Sequence, residues 1–256
     1  MSNISRVNLM LKIFFKILVV CVSICCFNQN LNAQTSFKII YGISEIKLRR
    51  PIDSLNERSK HFTEKIINRS KDVNYLLFSN KENSYFKEEK TLMIESDSRI
   101  ESLYYKAVKQ FTSFNTEVYA NHKDKKITFI KNLVSQDFTV KRDYYNFNWV
   151  IKEDHKKILG FTARKATGNY YYPVTNENLE VEAWFIPSIP LQSGPDIFMG
   201  LPGLIAEVHL KGAVVTAKKI EQSENFKVEK IEDKEAMTQK EYEDLISRLT
   251  QKFIEE

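Results

Sequence analysis

The chain has 256 residues, with 38 Lys and Arg against 33 Asp and Glu and only three cysteines. The first 33 residues hold Arg6, Lys12 and Lys16 and all the cysteines, Cys21, Cys25 and Cys26; without them 35 cations face 33 acids, a net charge of about +2. That balance gives no electrostatic footprint for a nucleic acid, and a cysteine-free remainder excludes disulfides, thiolate metal sites and cysteine nucleophiles.

Arg6, Lys12 and Lys16 precede an apolar run from Ile17 to Phe27, and a short polar stretch leads to Leu31-Asn32-Ala33. A positive start, an apolar centre and a small residue before the cut predict a secretory signal peptide over 1–33. The run is shorter than the roughly 20 residues of a membrane span, and no second long apolar segment follows. No cysteine sits behind the small residues of a lipoprotein cleavage signal. The expectation is an exported protein of the periplasm, outer membrane or cell surface, with no transmembrane segment after cleavage. Residues 34–256 are expected to form a single domain, long enough for a core without staples.

In chain order, Phe37, Ile39, Tyr41 and Ile43 alternate as a half-buried strand does, and the slip to Ile46 and Leu48 predicts a bulge near Gly42 or Ser44. Pro51 closes the strand. Ser54 and Glu57 match a capping box, and Leu55, Phe62 and Ile66 continue a helix to Ser70. Val73–Ser79 and Ser84–Ile94 read as strands around an Asn80–Asn83 turn. Ser98–Phe114 fits a helix through Leu103, Ala107 and Phe111, although its aromatic content also tolerates a strand.

From Thr116 the pattern is repetitively β: 117–120, 127–133, 138–142, 147–152, 161–166, 170–174 and 179–186. Short strands at such intervals pair with their neighbours antiparallel, since parallel pairing needs crossovers of about a dozen residues. Leu204, Ala206, Val208 and Leu210 share a strand face, Lys211-Gly212 turns it, and 213–220 returns, with 226–231 as a further strand. Thr238 and Glu241 form a second capping box before a helix striped with Tyr242, Leu245, Ile246, Leu249 and Phe253. Mixed charge on its polar face favours docking on the protein's own core over a membrane surface.

Between these elements, Ile186–Ile205 holds four of the six prolines and three of the seven glycines, with Asp196 its single charge. Leu201-Pro202-Gly203-Leu204 suits a type II turn, and Ser193-Gly194-Pro195-Asp196 a second turn. So apolar a loop should be ordered, folded over one end of the sheet or presented to a partner. Asp196 caps its own turn or carries specificity.

Chemical motifs are sparse. The chain has no phosphate-binding loop, dinucleotide fingerprint, nucleophile elbow or paired-histidine zinc helix. His61, His122, His155 and His209 lie on unrelated elements, and His209 beside Glu207 reads as an ion pair. Three aromatic groups stand out: Tyr144-Tyr145 with Phe147 and Trp149, Tyr170–Tyr172, and Trp184-Phe185. They fill a sheet core or line a pocket or a sugar- or peptide-binding face. Trp149, Trp184, Asp196 and Phe198 are the candidate binding residues; no catalytic set, metal or cofactor is indicated.

Gly200-Leu201-Pro202-Gly203-Leu204-Ile205 is letter for letter the signature of the GLPGLI family, which the chain resembles. Phe147-Asn148-Trp149, Ile158-Leu159-Gly160-Phe161 with Lys165-Ala166, Ala183-Trp184 with Ile189-Pro190, and Gly194-Pro195 are similar to that family's marks in their usual order, from Val73 to Ile220. The resemblance implies an exported protein of Gram-negative bacteria with unassigned activity and no catalytic set to carry over. Family members often carry a cysteine where this chain reads Thr162-Ala163-Arg164, so any role of that cysteine does not transfer. Members are often encoded near TonB-dependent outer-membrane receptors, which implies an outer-membrane partner.

The combined expectation is a mainly β (α+β) fold, a single curved antiparallel sheet or half-barrel with a helix near each end. By fold-level analogy with periplasmic lipoprotein carriers, the sheet would cradle a helix. The leading function is a non-enzymatic envelope protein binding an apolar or peptide ligand or an outer-membrane partner. The rival is an envelope hydrolase with its site at the Ile186–Ile205 loop, or else a purely structural accessory of a receptor.

Overall fold

β-branched and aromatic side chains recur at alternate positions from Ser36 onwards, and they build twelve strands of one open sheet. The structure, a computed structural model, describes residues 35–89, 99–133, 136–172 and 177–255. The expected signal peptide, and the end of the strand expected to reach Ile94, lie outside them.

The strands are β1 (Ser36–Ile46), β2 (Asn74–Ser79), β3 (Asn83–Glu88), β4 (Glu117–Asn121), β5 (Lys126–Leu133) and β6 (Gln136–Asp143). They continue with β7 (Val150–Ile158), β8 (Phe161–Tyr172), β9 (Glu177–Ile186), β10 (Leu204–His209), β11 (Ala213–Ser223) and β12 (Met237–Thr238). The helices are α1 (Glu57–Ser70), α2 (Arg99–Thr112) and α3 (Gln239–Glu255). Ser36–Glu256 is one compact unit.

Across the sheet the order is β12-β6-β5-β4-β3-β2-β1-β11-β10-β9-β8-β7. The expected mainly β, antiparallel architecture is present, with one exception: Met237 and Thr238 run parallel to Val140 and Lys141. The sheet does not close into a barrel.

Strand register assigns each side chain to one of two faces. On the first, Ile39, Leu77, Phe86, Val118, Phe129 and Val140 form one cross-strand row, all buried. Each contributes about 1.5–3 kcal/mol by leaving water. α2 and the segment after it cover this face: Tyr75 Oη lies 3.0 Å from Thr112 Oγ1, and Phe114 meets the rings of Tyr75 and Phe86 edge-on. α3 covers it further along, where Tyr242 stands edge-on to Phe129 at 6.4 Å. α1 joins α2 through Phe62 on Tyr104 and the Arg69–Glu101 ion pair of 2.7 Å.

The second face carries Phe78, Tyr85, Tyr119, Thr128 and Lys141 in register. Residues 224–236 cross it from β2 to β6, fastened by Phe226 on Phe78, Lys87 on Glu229 at 3.5 Å and Lys141 on Asp233 at 2.6 Å. The strand expected over Phe226–Ile231 is therefore a covering segment, held by side chains and not by a ladder.

Local differences have local causes. Ser54 ends a short 3-10 turn and donates to Pro51 O, so the cap of α1 is Asn56, whose side chain accepts from Ser59 N. The box expected at Thr238 forms, with Thr238 N donating to Glu241 Oε2 and Glu241 N to Thr238 Oγ1. Phe147 and Trp149 lie outside any strand, because β7 starts at Val150. β1 slips register at Ile40/Tyr41 and at Ile43/Glu45, the latter at Ser44 as expected. At the sheet edge, three residues of β7, Lys152 to Asp154, and one of β8, Lys165, lie between the pairs Ile151–Ala166 and His155–Arg164, an irregular bulge larger than the usual two against one.

Candidate functional site

The Ile186–Ile205 loop joins β9 to β10 and lies on the covered face, where Phe198 meets Phe147, Tyr170 and Phe114 with centroids 5.3, 5.8 and 6.5 Å away. Its backbone is tied down along its length. Gly200 N donates to Gln192 O, Leu204 N to Ile189 O and Ile205 N to Ser193 O, each at 3.0 Å. Tyr41 Oη donates to Ile205 O at 2.7 Å, and Ser79 and Ser193 share a buried hydroxyl pair at 2.6 Å.

The glycines fit this crossing. Gly203 has φ +153°, and a Cβ there would stand 2.4 Å from Ile186 O. Its N–H bonds Leu201 O at 2.8 Å while Leu204 N reaches Ile189, so the type II turn expected at Leu201–Leu204 is not formed. A Cβ on Gly194 would meet Ile205 Cβ at 2.6 Å. The turn expected at Ser193–Asp196 closes two residues later, where Phe198 N donates to Pro195 O and Asp196 takes φ +54°. Leu201, Leu204 and Ile205 are buried, whereas Gly200 and Pro202 are exposed.

Asp196 is 5% exposed, and its Oδ1 accepts from Asn115 N at 3.0 Å and Asn115 Nδ2 at 2.8 Å. Burial pushes its carboxyl above the usual range, partly offset by Lys131 and by Asn115. Lys131 donates to Ser113 O and Phe114 O at the end of α2. Asp196 therefore ties the loop to the segment after α2. Trp149 donates from Nε1 to Met199 O at 3.0 Å and stacks on Phe147 at 5.0 Å. Trp149, Asp196 and Phe198 thus share the covered face, and Trp184 does not.

Trp184 faces the other way, onto the part of the second face that 224–236 leaves open. Register places Lys165, Trp184, Glu207 and Thr216 in one row across β8, β9, β10 and β11, with Glu182 opposite His209 beside it. Lys156 reaches over the Trp184 ring, 4.3 Å from its centre, to bind Glu207 at 2.5 Å. Glu182 accepts from Trp184 Nε1 at 2.8 Å and from Lys165 at 2.7 Å. His209 Nε2 lies 2.5 Å from Glu207 and 3.6 Å from Glu182, the contact expected beside Glu207. Thr216 donates to Glu207 and contacts Ser44.

Burial opposes the charge on Glu207, but hydrogen bonds from His209, Lys156 and Thr216 outweigh it and hold the carboxyl at about 2. Glu182 is also held below its usual value: burial raises it, and Lys165, Trp184 and His209 lower it by more. Two ionised, lysine-paired carboxylates are poor general acids at neutral pH. Beside this network lies a groove of about 730 Å³ bordered by Lys47, Lys152, Asn169, Glu182, His209 and Lys211. Its amides, carboxylates and cations can engage a polar ligand or polypeptide through many weak contacts. Among the described residues no group of three or more His, Cys, Asp or Glu could hold a metal ion, and no helix is long and apolar enough to cross a membrane.

Sequence reasoning missed Lys156, Lys165, Glu182 and the groove, because four strands in register assemble them. The local traces were the alternation of Glu207 and His209 and the candidate Trp184.

A family model described as "Protein of unknown function (Porph_ging)" matches residues 169–207. That stretch runs from the end of β8 through the motif loop to Glu207, so it spans both sides of β9. No curated protein matches. Two solved structures of PNGF-II, in space groups C2 and P21, resemble the chain at 13% and 14% identity, each with a TM-score of 0.47. They cover 83% and 84% of this chain, which spans 33% of theirs.

Proposed function

We propose that the chain is an exported cell-envelope protein of the GLPGLI type, a non-enzymatic binding or accessory protein that presents the open face of β7–β10 to an outer-membrane partner. One observation carries the reading: the motif loop is spent on the covered face, while the groove beside Glu182 and His209 remains accessible. Its lysines, asparagines and carboxylates are set among Val150, Leu179, Val181 and Leu210, a mixed lining that suits a polypeptide segment with both polar and apolar side chains. The signal-peptide pattern over 1–33 supports export, and the Gly200–Ile205 hexapeptide together with the match over 169–207 supports the family. Hydrolysis at the loop is disfavoured, since Asp196 is buried and engaged by Asn115.

The test is affinity capture from envelope fractions of the native host, comparing the parent with Lys152→Glu/Lys211→Glu. Both lysines border the groove, so reversal should abolish the specific copurifying partner while unfolding stability moves by about 0.5 kcal/mol or less. A partner retained by the folded double variant would refute the groove as the binding face.

A further inference from the structure

A second surface lies at the end of the sheet, away from the groove. Leu159 and Gly160 join β7 to β8 in a two-residue turn with φ +50° and +83°. Turns with both central residues left-handed favour Asn, Asp or Gly at the first position, so a leucine there is sterically unfavourable. Its side chain is also exposed, at 45%, beside Phe161 at 38%. Local folding explains neither the strain nor the exposure.

The charges around this turn are one-sided. The four residues before it are His155, Lys156, Lys157 and Ile158, and those after it are Phe161, Thr162, Ala163 and Arg164. No carboxylate occurs among them. Lys156 is used by Glu207, and Arg164, half-buried opposite Phe185, donates to Lys152 O with its Nε buried; Lys157 is exposed and bonds only Thr162 Oγ1, with no acid paired to it among the described residues. The turn lies beyond the last pair of β8 with β9, Arg164 and Phe185, and while Ile158 and Ala163 at its base are buried, Leu159 to Thr162 are exposed at its tip. Beyond Phe185 β9 runs into Pro187, Ser188 and Pro190, which are exposed and uncharged, and Pro202 emerges near them before Gly203 packs on Ile186.

We propose that this end of the sheet docks on a lipid surface bearing anionic headgroups, with Leu159 and Phe161 entering the interface and Lys157 lying at headgroup level. Apolar residues at an exposed tip with a cation set just behind them match the layering of a bilayer interface. The absence of carboxylates at the tip favours an anionic surface over a protein pocket, which would not require that bias.

The apolar run Ile17–Phe27 would itself bind lipid, so the test uses the compact Ser36–Glu256 unit, which holds the whole sheet. Flotation with phosphatidylcholine vesicles, alone and with phosphatidylglycerol, should show binding to the anionic vesicles that falls as salt rises. Leu159→Asp/Phe161→Asp should weaken it by about tenfold or more with an unchanged thermal transition. Leu159→Asn suits the turn and should also weaken binding while preserving or raising stability, which separates lipid contact from folding. Failure of the parent to bind either vesicle, equal binding to both, or undiminished binding by the double Asp variant would overturn the proposal.

Discussion

Trp184 and Phe185 are neighbours on β9, yet they serve opposite surfaces. Phe185 belongs to the dry side, where the Pro/Gly loop, Trp149 and Phe198 close over the sheet and Asp196 is held by a single asparagine. Trp184 belongs to the open side, capped by the ammonium of Lys156 and set among Glu182, Glu207 and His209. One side is specified by shape and excludes water; the other is specified by charge and borders it. The Pro/Gly loop is therefore spent on a demanding packing problem, while the lysine-paired carboxylates face away from it.

Breaking the dry side should have the largest effect. Gly203→Ala drives a methyl group into the Ile186 carbonyl, and Phe198→Ala empties the centre of the ring cluster. The latter should cost about 3–5 kcal/mol in urea unfolding, and the former at least as much. A small loss in Phe198→Ala would mean that the loop is not part of the core.

Asp196→Ala should cost about 2 kcal/mol, because it strands both Asn115 donors and places alanine at positive φ. Asp196→Asn keeps an acceptor and tolerates that backbone, so it should stay within about 1 kcal/mol of the parent.

The faces should also differ in the sign of their pH dependence. Asp196 is raised in the fold, so its contribution favours folding below the ordinary carboxylate value and is lost as pH rises through the folded value. Glu207 is depressed, so its contribution is present above the ordinary value and is lost as pH falls towards about 2. Glu207→Gln should therefore cost about 1 kcal/mol near neutrality, shrinking on acidification, whereas the parent should gain on Asp196→Asn as pH falls. Melting curves of the three proteins between pH 7 and about 3 would show it; parallel curves would remove the distinction.

Most strands were legible because a sheet covered on one face writes its period into the chain, as Phe37 to Ile43 do. The failures occur where a segment is held by side chains instead of a ladder. Phe147 and Trp149 alternate like a strand but lie across one, and Phe226–Ile231 does the same on the other face. Pro202-Gly203 looked like a self-contained turn because the partner of Leu204 N, Ile189 O, is set by the path of the whole loop. Of the four candidate binding residues, the sequence placed Trp184 in a noticeable aromatic pair but could not say which way it faced. Direction depends on register, and apart from Glu182 on its own strand the partners of Trp184 come from β7, β8 and β10.

The two ends of the sheet bear on how molecules of this protein meet one another. A twelve-strand open sheet presents two rows of unpaired backbone groups, each a template for a further strand. One end finishes on β12, two residues long before α3 begins, and the other on β7, whose Lys152-Glu153-Asp154 bulge breaks the spacing a partner strand would need. β12 covers only Val140 and Lys141 of β6 and the bulge divides β7, so both edges are interrupted and a partner strand could add only a short ladder. Concentrated protein should therefore resist stacking sheet to sheet into long fibres.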